Sequence, residues 1–215
     1  MSMMTRYGST TRLRASRGRR FAVLAGAIAV TILLSACSND ELAQQYRAGS
    51  GQGYISGDGA VTEVAEADRQ APVDFSSTLG SGATTTSADY RGRVLVVNFW
   101  YAGCPPCRAE AGDLQAVWTK YQEQGVSFVG VNIRDQNAAT ARAFENTFGI
   151  TYPSVMDAES GTMTLAFSGV VGPNAVPTTL VIDKQGRVSA RVLGRISDAS
   201  ILEALIKTAL AESDQ

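Results

Sequence analysis

Seven consecutive strand-forming residues, Val94–Trp100 (VLVVNFW), constrain the fold of this chain more than any other feature. Such a nearly continuous apolar run is typical of a central strand that is covered on both faces of its sheet. Three further segments follow it with clear periodicity: a helix over Arg108–Gln124, a second apolar strand over Val126–Ile133 and a second helix over Ala138–Phe148. A strand–helix–strand–helix series predicts parallel strands joined by right-handed crossovers.

The C-terminal part of the chain adds an antiparallel hairpin and a last helix. Two strand-like segments, Thr178–Asp183 and Arg187–Leu193, flank a Lys-Gln-Gly turn. Asp198 is placed to cap the amphipathic helix that follows. A short opening hairpin is expected from Val73–Phe75 and Ala83–Ser87. These elements predict an α/β fold, a central mixed β-sheet flanked by helices, with a short N-terminal β extension.

Two cysteines, Cys104 and Cys107, lie between the central strand and its helix. Free N–H groups and the positive end of the dipole at a helix N-terminus stabilise a thiolate on Cys104. Cys107 lies one turn further along, near enough to close a disulfide and shielded from solvent. Pro105 and Pro106 fit the first helical turn, where a missing N–H costs nothing. The motif therefore predicts a redox pair in which Cys104 reacts with substrates and Cys107 resolves the mixed disulfide.

The chain contains no histidine and only one further cysteine, Cys37. A zinc site needs about four ligands, so zinc is not expected at the cysteine pair. The absence of histidine also excludes Ser-His-Asp and Cys-His catalysis. No metal or other cofactor is predicted. The alternatives for the pair are a purely structural disulfide or two unreactive buried thiols.

The first 36 residues have the pattern of an export signal. Residues 1–20 carry six arginines and no acidic residue, and Phe21–Ala36 is an apolar run of 16 residues. This run is shorter than the roughly 18 residues of a spanning helix. It ends in Leu34-Ser35-Ala36-Cys37, which resembles a bacterial lipobox, where the cysteine receives a diacylglycerol and the peptide is cut before it. We expect a signal peptide over residues 1–36 and a lipid anchor on Cys37 at the extracytoplasmic face of the cell membrane. An uncleaved signal anchor is the alternative.

Residues 37–70 are rich in Gly, Ala, Ser and acidic residues, a composition that predicts a flexible tether. The folded domain is expected over residues 71–213. Without its first 36 residues the protein has 13 basic and 20 acidic residues, a net charge of about −7. This charge argues against nucleic acid as a partner, because binding to phosphate backbones requires a basic face.

Three motifs carry a family resemblance: Asn98–Glu110 (NFWYAGCPPCRAE), Val131–Asp135 (VNIRD) and Val176–Asp183 (VPTTLVID). Together they resemble the TlpA/ResA-like proteins, which have a thioredoxin fold. Those proteins are membrane-tethered thiol–disulfide reductases, several of which serve cytochrome c maturation. The resemblance implies the same fold here and protein thiols and disulfides as substrates. A membrane dithiol would suit an anchored reductase as its electron donor.

The resemblance also implies roles for single residues. Pro177 matches the family's cis-proline, which lies against the disulfide, and the backbone of Val176 is expected to pair with an extended substrate segment. Asp135 matches an acidic residue near the active site that could relay a proton to or from Cys107. The alternatives for Asp135 are a solvated loop acid or the N-cap of the following helix. Gly103 stands where the family usually has Trp, which predicts an open flank beside the cysteines.

The leading hypothesis is an extracytoplasmic reductase of protein disulfides, such as those of apocytochrome c. A dithiol oxidase or isomerase that forms disulfides in exported proteins would have the same fold and cysteines. A third possibility is a peroxiredoxin-like peroxidase, whose reactive cysteine usually follows a Thr-x-x sequence. Tyr101 occupies that threonine position here, which disfavours a peroxidase.

The lipid anchor can be tested directly. Replacing Cys37 by Ser should abolish fatty-acid labelling and the shift to the mature N-terminus, because the acyl chains are carried by that thiol. Labelling and membrane fractionation of the wild-type and variant chains measure this. Labelling that survives the substitution contradicts the lipoprotein hypothesis.

Overall fold

The computed structural model describes residues 59–172 and 175–212. Its strands are β1 (Ala60–Glu63), β2 (Ser76–Thr78), β3 (Thr84–Thr86), β4 (Val94–Trp100), β5 (Val126–Asn132), β6 (Ser154–Met156), β7 (Thr178–Ile182) and β8 (Val188–Leu193). Its helices are α1 (Pro105–Tyr121), α2 (Ala138–Phe148), α3 (Thr162–Ala166) and α4 (Ala199–Ala211).

Six strands form one mixed sheet in the order β1-β8-β7-β4-β5-β6. The strands β4, β5 and β6 are parallel, whereas β7 is antiparallel to β4, and β8 and β1 continue the antiparallel half. The strands β2 and β3 form a separate hairpin. The predicted mixed α/β sheet is confirmed, and β4 is its central strand with all seven residues buried.

The sheet is covered on both faces, which explains why β4 is apolar on both. One face packs against α1 and α4 in a single apolar core, whose members include Val96, Phe128, Leu114, Val117, Leu202 and Ile206. On the other face the rings of Phe99 and Phe75 lie 5.8 and 5.9 Å from the ring of Phe167, directly after α3. Burying each such side chain contributes about 1.5–3 kcal/mol.

The predicted flexible tether over residues 37–70 is wrong for its last part. The strand β1 pairs with β8 over its whole length, from Ala60 opposite Leu193 to Glu63 opposite Ala190. All four side chains of β1 are exposed, and its backbone pairs with β8 along the whole strand. Residue composition does not reveal such pairing, since nothing apolar needs to be buried.

Arg69 fixes the end of the same segment. Its side chain is 4% exposed, and its Nη1 lies 2.9 Å from Oδ2 of Asp183 and 2.6 Å from Oε2 of Glu212. It therefore joins the start of the domain to the β7–β8 turn and to the C-terminal end. The folded domain therefore includes residues 59–70, which precede its expected start at residue 71. Residues 37–58, Cys37 and the predicted signal peptide lie outside the described residues.

The opening hairpin also differs from its prediction. Its strands are Ser76–Thr78 and Thr84–Thr86, so the first strand begins directly after the segment expected, Val73–Phe75. Phe75 is instead a half-buried residue whose ring packs against that of Phe167, which explains why its apolar character was misleading. Among the described residues, no helix combines the length and apolar character needed to cross a membrane.

Candidate active site

The cysteine pair lies at the carboxyl end of β4, where the chain turns into α1. Cys104 and Cys107 form a disulfide with an S–S distance of 2.04 Å. Cys104 is the N-cap of α1, and its Sγ accepts a hydrogen bond from the backbone N–H of Cys107 at 3.2 Å. Pro105 and Pro106 occupy the first helical turn. The helix start thus directs an N–H group at the sulfur that would carry negative charge after reduction.

Both cysteines are buried in this oxidised state, with Cys104 0% and Cys107 2% exposed. The expected contrast between an accessible Cys104 and a protected Cys107 concerns the reduced dithiol and stays a prediction. Gly103 is exposed, as the expected open flank requires, and one ring lies near it. A Cβ built on Gly103 would lie 3.3 Å from the ring of Tyr101, which therefore lies beside it. The guanidinium of Arg134 lies 5.0 Å from the centre of the same ring.

Pro177 begins β7 at the same end of the sheet. The Val176–Pro177 peptide bond is cis, as the family resemblance implies. Because β7 is antiparallel to β4, Thr178 pairs with Phe99, close to the strand end that leads to the cysteines. Val176 and Pro177 are buried in this state. The pairing of Val176 with a substrate segment stays a prediction.

Asp135 holds the loop that precedes the cysteines. Its Oδ2 accepts hydrogen bonds from the backbone N–H of Ala102 and from Nδ2 of Asn132, both at 2.7 Å. On the other side of the loop, Arg108 donates to the carbonyl oxygen of Ala102 at 3.3 Å. The N-cap of α2 is Asn137, so the alternative that Asp135 caps this helix is wrong. The geometry makes Asp135 a positioning residue for the cysteine loop.

Glu110, one turn beyond Cys107 on α1, is the site residue that the sequence analysis missed. It is completely buried, and it accepts hydrogen bonds from Nδ2 of Asn98 at 3.0 Å and from the backbone N–H of Ile196 at 2.8 Å. Burial raises the pKa of the Glu110 carboxyl to about 8, although both hydrogen bonds and the charge of Arg195 oppose this rise. The sequence did carry a signal for it: Glu110 is an acidic residue on the face of the helix that otherwise carries apolar, core-facing residues.

Comparison with known proteins finds relatives that are named as thiol–disulfide oxidoreductases or interchange proteins. The AhpC/TSA family profile matches residues 67–191. Thiol-disulfide oxidoreductase ResA of Geobacillus thermodenitrificans is 34% identical over 117 residues, which are 54% of this chain and 64% of that protein. The thiol:disulfide interchange protein HelX of Rhodobacter capsulatus is 32% identical over 152 residues, 69% of this chain and 81% of the relative. The chain thus spans somewhat less than two thirds of the ResA protein and about four fifths of HelX.

Solved structures agree on the fold. A secreted thiol-disulfide isomerase from Corynebacterium glutamicum superposes with a TM-score of 0.65 at 30% identity, covering 74% of this chain and 96% of that protein. A thioredoxin-family thiol:disulfide interchange protein from Chlorobium tepidum gives a TM-score of 0.60 at 30% identity, covering 68% of this chain and all of that protein. The predicted thioredoxin fold is confirmed.

Two substitutions distinguish a positioning role of Asp135 from a role as proton relay. Asp135→Asn keeps an oxygen that can accept from Ala102, whereas Asp135→Ala removes it. If Asp135 positions the loop, thiol–disulfide exchange should slow about tenfold in the Ala variant and remain near the wild-type rate in the Asn variant. Turnover of insulin disulfides at neutral pH measures both. Equal slowing of the two variants would instead identify Asp135 as a proton relay, since Asn cannot take up a proton.

Glu110 should make the stability of the oxidised protein depend on pH. The pKa of this carboxyl is 4.5 in the reference state and about 8 when folded, so between these values the unfolded chain binds fewer protons than the folded one. The free energy of unfolding should therefore fall as pH rises from about 4.5 to 8, by at most about 1.4 kcal/mol per pH unit.

Urea unfolding across this range measures the slope. Glu110→Gln should remove it, even though the variant is less stable overall because the amide cannot accept both hydrogen bonds. Glu159→Gln, which changes an exposed carboxylate, is the matched control and should leave the slope unchanged. A slope that persists in Glu110→Gln contradicts the raised pKa.

Proposed function

The chain belongs to the AhpC/TSA family and, within it, to the thiol–disulfide oxidoreductases similar to ResA and HelX, and we propose that it reduces disulfides of exported proteins at the outer face of the cell membrane. One observation carries this proposal. A disulfide between Cys104 and Cys107 lies at the N-terminus of α1, with a cis-proline at the same end of the sheet and a buried carboxyl one turn away.

In the proposed reaction, the thiolate of Cys104 attacks one sulfur of a substrate disulfide. The substrate S–S bond breaks, and its electron pair passes to the other substrate sulfur, which takes up a proton. Cys107 then loses its proton and attacks the Sγ of Cys104, which releases the second substrate thiol. The substrate gains two electrons and two protons, and the enzyme is left in the disulfide form described above. A dithiol donor returns two electrons to it.

Glu110 supplies a place for the Cys107 proton. The two residues lie one helical turn apart, and the Glu110 side chain has no exposed surface. With its pKa near 8, the carboxyl is largely protonated at neutral pH in the oxidised form. It can therefore give a proton to Cys107 when the disulfide is reduced, and take one back when the disulfide forms again. This role does not need Asp135 as a relay.

Membrane attachment through Cys37 is part of the proposal, and the lipobox-like sequence Leu34-Ser35-Ala36-Cys37 supports it. The strand β1 pairs with β8 so that Ala60 is opposite Leu193, and Leu193 is opposite Thr178, the residue after the cis-proline. The chain therefore enters the described domain at the end of the sheet that carries Pro177. The solved relative from Corynebacterium glutamicum is described as a secreted protein, which is consistent with export.

Three features favour a reductase over an oxidase or isomerase. The motifs VNIRD and VPTTLVID resemble the reductase branch of the family. A lipid anchor would raise the effective concentration of a membrane dithiol donor and of membrane-associated cytochrome assembly. The dipeptide Pro105-Pro106 has no histidine, whose charge would stabilise the Cys104 thiolate and make a strong oxidant. We therefore propose the cysteines of apocytochrome c as substrates.

Trapping and the reduction potential test the function together. Cys107→Ser should accumulate mixed disulfides with substrates because the resolving thiol is missing, whereas Cys104→Ser should accumulate none.

In the reduced protein, alkylation near neutral pH should modify Cys104 before Cys107. The reduction potential should be roughly −200 mV or lower. This is towards the value of a thioredoxin, near −270 mV, and well below that of the strongest oxidases, near −120 mV.

Three outcomes would contradict the proposal. Preferential alkylation of Cys107 would reverse the roles of the two cysteines. A potential near −120 mV, together with missing disulfides in secreted proteins after gene deletion, would establish the oxidase. Rapid consumption of peroxide without insulin reduction would establish the peroxidase. The reductase predicts instead that deletion lowers covalent haem attachment and that added small thiols partly restore it.

A further inference from the structure

Two arginines from different elements hold their charges beside the loop that precedes the disulfide. Arg108 on α1 donates to the carbonyl oxygen of Ala102 at 3.3 Å. Arg134, in the turn after β5, has its guanidinium 5.0 Å from the centre of the Tyr101 ring. Both guanidinium groups therefore lie against the loop that ends at Cys104. We call Arg108 and Arg134 the cationic rim.

Both side chains of the cationic rim are exposed, yet each is held in place by neighbours. The guanidinium of Arg108 lies 5.1 Å from the centre of the Phe148 ring and 6.0 Å from that of Phe144, both on α2. The backbone N–H of Arg134 donates to Oδ1 of the fully buried Asn132 at 3.2 Å. Contacts between a guanidinium and an aromatic ring restrict the group without neutralising its charge. The rim is therefore a preorganised pair of positive charges.

The carboxylate next to the rim is engaged with the loop itself. Oδ2 of Asp135 accepts from the backbone N–H of Ala102 and from Nδ2 of Asn132, and the residue is half-buried. The charge that an approaching molecule meets at this loop is therefore mainly that of the two arginines. Without its first 36 residues the chain carries a net charge of about −7, so this positive end contrasts with the rest of the protein.

An open surface connects the rim to the disulfide, since Gly103 and Pro105 are both exposed. Only the ring of Tyr101 separates the guanidinium of Arg134 from Gly103, where a Cβ would lie 3.3 Å from that ring. This separation is comparable to the Debye length of about 8 Å at physiological ionic strength. Charged side chains of a polypeptide that reacts at Cys104 therefore come within electrostatic reach of the rim.

We propose that the cationic rim selects substrate polypeptides that carry acidic residues beside their disulfide. The inference rests on the proposed function and deepens it, because it names a substrate class for the same cysteine pair. A preorganised guanidinium binds a carboxylate through charge-assisted hydrogen bonds. Opposite charges also accelerate the encounter, whereas like charges disfavour it. The rim takes no part in electron transfer, so the thiol–disulfide exchange is the one given above.

A polypeptide fits this position better than the surface of a membrane does. The two arginines flank the loop that carries the reactive cysteine, and the exposed Gly103 lies between that loop and solvent. A membrane surface lying on the rim would cover the disulfide and keep protein substrates away from it. An acidic segment of the substrate, in contrast, can contact the rim while its own disulfide reacts.

Three peptide disulfides of equal length test the selection. Each has a Cys-Gly-Gly-Cys core, which is flanked by glutamate, glutamine or lysine residues. The reduced full chain in an uncharged detergent is mixed with each peptide, and second-order rate constants are obtained after acid quenching. At low salt the glutamate peptide should react about fivefold faster than the glutamine peptide, and the lysine peptide about fivefold more slowly. At about 1 M salt, where the Debye length is about 3 Å, these differences should fall below about twofold.

Substitutions in the rim connect this preference to its arginines. Arg134→Lys keeps the charge and should keep most of the preference, whereas Arg134→Gln should lower the ratio of the glutamate rate to the lysine rate about fivefold. Arg134→Glu should abolish the preference. Arg108→Gln, which keeps a donor for Ala102, should act like Arg134→Gln. Arg142→Gln removes the same charge from an exposed position on α2, beside the turn after β2, and is the matched control that should behave as wild type.

Alkylation of Cys104 by uncharged iodoacetamide separates selection from a general effect on the thiolate. Its rate should stay within about twofold of wild type in the Arg134 variants, because the Tyr101 ring lies between Arg134 and the loop. Equal rates for the three peptides at low salt would overturn the proposal. A loss of rate that all peptides and iodoacetamide share in the variants would overturn it as well.

Two further outcomes have distinct meanings. If rates do not depend on peptide charge, and phosphatidylglycerol vesicles protect Cys104 from alkylation whereas phosphatidylcholine vesicles do not, the rim belongs to a membrane contact and the proposal is overturned. A wild-type protein that reduces none of the three peptides would instead overturn the proposed function.

Discussion

The buried carboxyl of Glu110 is the interaction on which the site depends. It connects α1, which carries the cysteines, to Asn98 on the central strand and to the backbone of Ile196 before α4. A carboxyl in this position is costly to ionise, and burial raises its pKa to about 8. The same group therefore anchors the active-site helix and holds a proton within one turn of Cys107. Structure and chemistry are coupled through a single side chain.

The loop before the cysteines depends on a second polar contact. Asp135 accepts from Ala102, and Arg108 donates to the same residue from the helix. Arg108 in turn lies over the ring of Phe148 at 5.1 Å, which fixes it against α2. The position of Cys104 is thus set by groups from three elements. The family resemblance pointed to Asp135 as a residue near the site, and the structure places it there. The contacts of Asp135 favour a role in positioning the loop rather than in relaying a proton.

The sequence indicated the central elements well, because their signals are local. The apolar run Val94–Trp100 and the helix Ala138–Phe148 were predicted with the bounds that the structure has. The segment that was misjudged, residues 59–70, is held by backbone pairing of β1 and by the buried ion pairs of Arg69. Those partners are more than a hundred residues away in the chain, so neither composition nor periodicity could reveal them.

By itself, the sequence determined the mixed α/β fold and the placement of Cys104 and Cys107 at a helix start, since both follow from a motif or a short periodic pattern. The cis bond before Pro177 was expected from the family resemblance. Only the tertiary structure decided the roles of the buried polar groups. Glu110 and Asn98 come from a helix and a strand, and they meet because the central strand β4 lies beneath α1. Burial and hydrogen-bond partners set their chemistry, and both depend on which distant residues pack around them.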